Sequence, residues 1–164
     1  MGRSIRFVTQ TAVLFALTLV VQMLGLPQMV TGPLVNAMLL LATIFVGVGS
    51  GVCIGLFTPW VALVRGILPP PLGPLVPFIM LGNGAFVLVF GLFRRKGTLA
   101  FDIAGVILGA CVKYLILSQA VRSLASLPPQ VARVMQTPQL ITALLGGAIA
   151  LSLARVLRQA RSGG

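Results

Sequence analysis

The stretch Val76-Pro77-Phe78-Ile79-Met80-Leu81-Gly82-Asn83-Gly84-Ala85-Phe86-Val87-Leu88-Val89-Phe90-Gly91-Leu92-Phe93 ends at Arg94-Arg95-Lys96 and then Gly97. It carries no charge until its last residue is passed, and then three positive charges follow together. An apolar run of about 20 residues is what crosses a hydrocarbon layer of about 30 Å, and a basic cluster at its end marks the cytoplasmic boundary. Working outward from this run, the rest of the chain repeats the pattern. Of 164 residues, 58% are hydrophobic and 8% are charged, with mean hydropathy +1.10. Twelve Lys or Arg stand against a single acid, Asp102, with no His. A water-soluble domain needs a surface carrying both signs of charge, so this composition excludes one. The reading is an all-α integral membrane protein.

Six spans are expected within a single membrane domain over residues 1–164. Span one is Thr9–Leu26, and Pro27–Gly32 is a short loop. Span two runs from Pro33, which suits the first position of a helix, to about Val46. The turn Gly47-Val48-Gly49-Ser50-Gly51 breaks it. Span three covers about Val52–Ile67, with Thr58-Pro59 as an expected kink. The proline-rich Pro69–Pro74 segment is expected to be non-helical. Spans four and five cover about Val76–Phe93 and Leu99–Ala120. Arg122–Thr137 reads as a loop, in which Pro128-Pro129 could start a short interfacial helix. Span six is about Pro138–Leu157. The first run follows Arg3 and Arg6 without a small-residue cleavage site, so it reads as a span and not a signal peptide.

Charge placement sets the orientation. Arg3, Arg6, Arg94, Arg95, Lys96, Arg155, Arg158 and Arg161 lie on the side of the two termini, eight charges in all. Arg65, Arg122 and Arg133, three charges, lie on the other. The positive-inside rule places both termini in the cytoplasm. The basic residues are dispersed over span ends, so no nucleic-acid partner is expected; contact with the lipid bilayer is.

The residue types argue against chemistry of the enzymatic kind. There is no carboxylate pair and no metal-ligand cluster, so general acid–base catalysis lacks its groups. No catalytic residue, metal or cofactor is expected. Cys53 and Cys111 read as small packing residues. Asp102 is expected to cap its helix or to pair with the Arg94–Lys96 cluster.

Lys113 is the exception to an apolar interior. It lies about 14 residues into span five, roughly 21 Å along the axis at 1.5 Å per residue. A cation at that depth either snorkels outward or faces a polar cavity. Asn36, Asn83, Trp60, Arg65, Tyr114 and Gln22 fall in the same outer half, while the inner half is almost bare of polar groups. A pocket open outward and sealed toward the cytoplasm would look like this, with Lys113, Asn83, Asn36, Arg65, Trp60 and Tyr114 as substrate-binding residues. The plain alternatives are an interfacial aromatic belt for Trp60 and Tyr114 and interhelical hydrogen bonds for Asn36 and Asn83. Small residues recur four apart at Ala12/Ala16, Gly47/Gly51, Gly51/Gly55 and Gly105/Gly109, a spacing that lets helix backbones approach.

The chain resembles the substrate-binding (S) components of energy-coupling factor (ECF) transporters. The resemblance rests on Ala12-Val13-Leu14-Phe15-Ala16, Thr31–Ala37, the 47–51 turn, Leu56–Trp60, Pro77–Asn83 and Thr142–Gly147. It implies a six-span binding subunit for a vitamin or related micronutrient, without ATPase activity of its own. Its partners would be a transmembrane coupling subunit, docked through Ala12 and Ala16, and two cytoplasmic ATPases. It also implies toppling in the membrane to release substrate. The outward-facing positive residues suggest an anionic substrate. The competing readings are a small self-sufficient channel or permease, which should have polar groups through both halves of the membrane; a structural protein, which would leave Lys113 unexplained; and an intramembrane enzyme.

Overall fold

A computed structural model describes residues 2–124 and 129–162. The described residues form helices and connections, with no strand. The helices are α1 (Arg3–Met23), α2 (Gln28–Phe45), α3 (Val48–Val64), α4 (Val76–Arg94), α5 (Leu99–Ser123), the short α6 (Pro129–Val134) and α7 (Thr137–Ser162). Lipid offers no hydrogen-bonding partner, so a helix, which satisfies its backbone internally, is the form such apolar runs take. Five of the long helices have the length and composition to cross a membrane, and the sixth, α3, is an apolar helix of 17 residues.

Burial is inverted relative to a soluble protein. Leu17, Val20, Leu88, Leu92, Ile107, Leu115 and Leu153 are exposed on the outside of the bundle. Thr18, Asn36, Ser50, Thr58, Asn83, Lys113 and Thr142 are buried within it. That is the distribution expected where the surrounding medium is hydrocarbon.

The centre is built on α4. Phe86 and Phe90 pack against Ala37, Leu40 and Leu41 of α2, Val106 and Ala110 of α5, and Ala143, Ala150 and Ala154 of α7. A second cluster, Leu72, Leu75, Ala120, Val121 and Met135, closes the end where α5 leads into α6 and α7. A third joins Leu39 and Ala42 of α2 to Ile54 of α3 and Val87 of α4, with Leu14 and Phe15 of α1 against it. Helix α1 is peripheral. It packs on α2 and α3, and Thr18 is its one buried residue.

Several boundaries differ from the sequence reading, each for a local reason. Helix α1 starts at Arg3 and not Thr9, because backbone bonding continues past the point where composition turns polar. Helix α2 starts at Gln28, so Pro33 lies inside it and Pro27–Gly32 is mostly helix. The ring costs one backbone bond there, and the Thr31 hydroxyl donates to the Leu26 carbonyl to secure the first turn. Of the 47–51 segment, Gly47 alone is the break, at φ 134°; α3 begins at Val48 and takes in Gly49, Ser50 and Gly51. Pro70–Leu75 forms a 3₁₀ helix, which a fixed proline φ suits and which needs few N–H donors. The Arg122–Thr137 segment holds the last two residues of α5 and all of α6; Pro129 opens α6, while Pro128 lies outside the described residues. Cys53 and Cys111 are exposed on outer helix faces and not packed inside.

The small residues are the hinge points of packing. A Cβ on Gly109 would stand 2.9 Å from the Phe86 carbonyl oxygen, and one on Gly105 would stand 3.2 Å from the Phe90 Cα, so this pair seats α5 on α4. A Cβ on Gly146 would stand 2.6 Å from both the Pro33 oxygen and the Asn36 Cβ, where α7 meets α2. Gly84 is different: its nearest neighbour, Leu56 Cδ2, would be 3.7 Å from an added Cβ. Gly146→Ala should therefore destabilise the protein by about 1–3 kcal/mol through overpacking. Gly84→Ala should be neutral or gain up to about 1 kcal/mol from helix propensity. Denaturation midpoints of both variants in detergent would check the contrast.

Candidate functional site

A cavity lies at the end of the bundle that holds the α1–α2 and α3–α4 connections and α6. It is about 80 Å³ in volume, room for a few waters. Gln22 comes from α1; Gln28, Thr31, Gly32, Val35 and Asn36 from α2; Thr58, Pro59 and Ala62 from α3; Asn83 and Ile79 from α4; Lys113 from α5. Leu68, Met135 and Gln139 complete the lining. The α2 contribution follows helical spacing: residues 28, 31, 32, 35 and 36 share one face.

Lys113 is the chemical centre. It is 3% exposed, so it does not snorkel to the surface. Its Nζ donates to Asn36 Oδ1 at 2.8 Å and sits 5.9 Å from the centroid of the Phe86 ring. An ammonium has donors only, so the atom facing it must be the amide oxygen of Asn36. Asn36 Nδ2 in turn donates to the Gly32 carbonyl at 2.9 Å. Asn83 Nδ2 donates across to the Gly55 carbonyl at 3.1 Å, tying α4 to α3. Gln22 Oε1 is buried at the cavity without a hydrogen-bond partner.

No carboxylate reaches this cavity. The chain's one acid, Asp102, pairs through Oδ2 with Arg94 Nη1 at 2.7 Å, as its position near the basic cluster led us to expect. The cavity thus joins one buried cation to neutral amides and hydroxyls. Such a set offers hydrogen bonds of both kinds and one uncompensated positive charge.

Of the six residues expected to bind substrate, the fold brings Lys113, Asn36 and Asn83 together and leaves Trp60, Arg65 and Tyr114 off the lining. Thr58 and Ala62, four apart, face inward, so Trp60 midway between them points away and is 53% exposed. Arg65 caps the end of α3 and is exposed. Tyr114 is one residue, about 100° of helix, from Lys113 and is half-buried. Gln28, Thr31, Thr58, Met135 and Gln139 also line the cavity without a signal in the sequence; the first two belong to the first turn of α2, which composition alone makes look like a loop. Ala12 and Ala16 are exposed on α1. Ala12 itself lines an apolar groove shared with α3, together with Phe7, Phe15 and Phe57, where Thr11 donates to Ser50 at 2.9 Å; Ala16 is not part of that lining.

Asn36→Ala would strand a buried ammonium. It should cost about 2–3 kcal/mol of stability, the upper range for an unsatisfied buried donor because the group is charged. Adding Lys113→Met should recover most of that loss. Thermal unfolding of the two single variants and the double variant measures the coupling directly; additive effects would mean that the Lys113–Asn36 bond contributes nothing.

No curated protein and no solved structure shows a significant match to this chain. The sequence model for the substrate-specific component of ECF transporters matches residues 6–158. With a membrane bundle around one polar cavity already established, the match carries a plain conclusion: this chain belongs to the substrate-specific components of ECF transporters.

Proposed function

We propose that this subunit captures a small anionic micronutrient of the vitamin kind from outside a prokaryotic cell, for uptake across the plasma membrane. Lys113 carries the reading. Its ammonium lines a cavity in which the protein supplies Asn36, Asn83, Gln22 and Gln139 but no counter-charge. Keeping a cation inside a membrane helix costs about 2.5–3.5 kcal/mol on insertion scales, and a carboxylate on the ligand would offset it. The amides would serve the ligand's remaining polar groups.

The closed floor favours a binding cup over a self-sufficient channel or permease. Phe86, Phe90, Leu40 and Val106 fill the bundle beyond Lys113, where a conduction path would need polar lining. The chain would then be one six-span unit without enzymatic activity, working with a coupling subunit and two ATPases. The exposed Ala12 and Ala16 offer a smooth strip for close helix approach and so suit docking to the coupling subunit. At about 80 Å³ the cavity is too small for a vitamin, so loading would require its lining, Met135 included, to move apart.

Lys113→Met should fold at least as well as wild type and bind the carboxylate-bearing molecule that copurifies with the wild type at least about tenfold more weakly, or about 1.4 kcal/mol. Ala12→Leu combined with Ala16→Leu should do the reverse, sparing binding by the isolated protein and abolishing uptake by the assembled transporter. Ligand titration and cellular uptake separate the two effects; unchanged affinity in Lys113→Met would sink the anionic substrate.

The eight-to-three charge bias supports termini in the cytoplasm. Reporter fusions at each terminus should be active only in cytoplasmic form, and an external C-terminus would reverse the orientation.

A further inference from the structure

At the opposite end of the bundle from the amide-lined cavity lies a second concavity of different chemistry. It is lined by Arg94 of α4, the Gly97 turn, Leu99 and Asp102 of α5, and Leu151, Ala154, Arg155 and Arg158 of α7. Three guanidinium groups from two helices meet one carboxylate there, which leaves two positive charges in excess. Asp102 and Arg94 are paired at 2.7 Å and are mostly buried, with side chains 15% and 19% exposed. Arg94 also lies over the Phe90 ring, 5.9 Å from its centroid, so its position is fixed by packing as well as by charge. Arg155 and Arg158, one turn apart on α7, are exposed at the rim.

The surface beside this pocket is apolar. Leu99 and Ile103 of α5 and Leu153, Val156 and Leu157 of α7 are large hydrophobic side chains exposed on the outside of the bundle. A cationic notch at the ends of membrane helices, with hydrocarbon-facing side chains on the same helices, has the polarity that suits a phospholipid with a net negative headgroup. We propose that this pocket is a binding site for such a lipid, with the phosphate held by Arg155, Arg158 and Arg94 and the acyl chains against the adjoining faces of α5 and α7. Basic pockets between membrane helices hold anionic headgroups by this combination of charge and contact, and a guanidinium fork suits two phosphate oxygens at once. The site is separate from the α1 strip of Ala12 and Ala16, since α1 packs on α2 and α3 and contributes nothing to this lining. It therefore stands or falls independently of the substrate reading.

The test uses the full chain purified in detergent and presented with dioleoyl phosphatidylglycerol, dioleoyl phosphatidylcholine or inorganic phosphate, with bound molecules counted by native mass spectrometry. The wild type should hold phosphatidylglycerol at least about tenfold more tightly than phosphatidylcholine, or about 1.4 kcal/mol. Arg155→Ala with Arg158→Ala should remove that preference. Arg3→Ala with Arg6→Ala, which takes the same charge from the end of α1, should leave it intact. Both double variants change exposed residues, and equal unfolding temperatures would confirm that each is folded. Equal loss in the two variants would show generic charge attraction and overturn the proposal. Binding of inorganic phosphate as tight as that of the lipid would reassign the pocket to a free anion. Unchanged lipid binding in Arg155→Ala with Arg158→Ala, together with failure to assemble with the coupling or ATPase subunits, would make it an acidic-protein contact instead.

Discussion

A single ammonium buried among neutral groups constrains the end of the bundle that holds the polar cavity. Lys113 is buried within the bundle, and the chain's one acidic side chain is engaged with Arg94 at the other end. The fold must therefore satisfy the charge with dipoles. Asn36 supplies its oxygen, and Gly32 anchors the amide from behind. That relay needs α2 and α5 at fixed separation, which in turn needs α7 close against α2 at Gly146. Polar satisfaction and backbone approach are thus one problem solved by the same three helices.

Between apolar helices in lipid there is little hydrophobic gain from association, so contact must come from close fit and a few polar ties. The glycines of α3, α5 and α7 serve the first need, and the Asn83–Gly55 and Thr11–Ser50 bonds serve the second. The phenylalanines of α4 fill what remains. Phe86 does so twice, as part of the central cluster and as the aromatic face under Lys113.

Much of this could be read from residues alone because membrane insertion is a one-dimensional problem. Run length and terminal charge located the helices, the isolated Asp102 found its basic partner, and the depth of Lys113, Asn36 and Asn83 placed them at one level. What escaped was angular. Trp60 and Tyr114 are at the right depth but turned away, because a shift of one residue rotates a side chain by about 100°. Proline misled in two places. Pro33 suits a helix start yet lies inside α2, and the proline-rich Pro69–Pro74 segment reads as non-helical yet coils over Pro70–Leu75 as a 3₁₀ helix. In both, neighbouring backbone bonds absorb the missing donor, a compensation that no residue type announces. The level of Ala12 and Ala16 was legible, but their exposure depended on how little of α1 the bundle covers.

Gly82 sits where a Cβ would meet the Lys113 Cγ at 3.2 Å. The aliphatic stem of Lys113 thus runs in a notch cut into α4 by the absence of a side chain. A lysine in solution spends its freedom over many rotamers; this one is confined to a narrow path before any ligand arrives. The ordering entropy of that long side chain, of the order of 1.5–2 kcal/mol, is already charged to folding. On the proposed reading, an anion reaching the ammonium would find it preorganised, and more of the contact energy would appear as affinity.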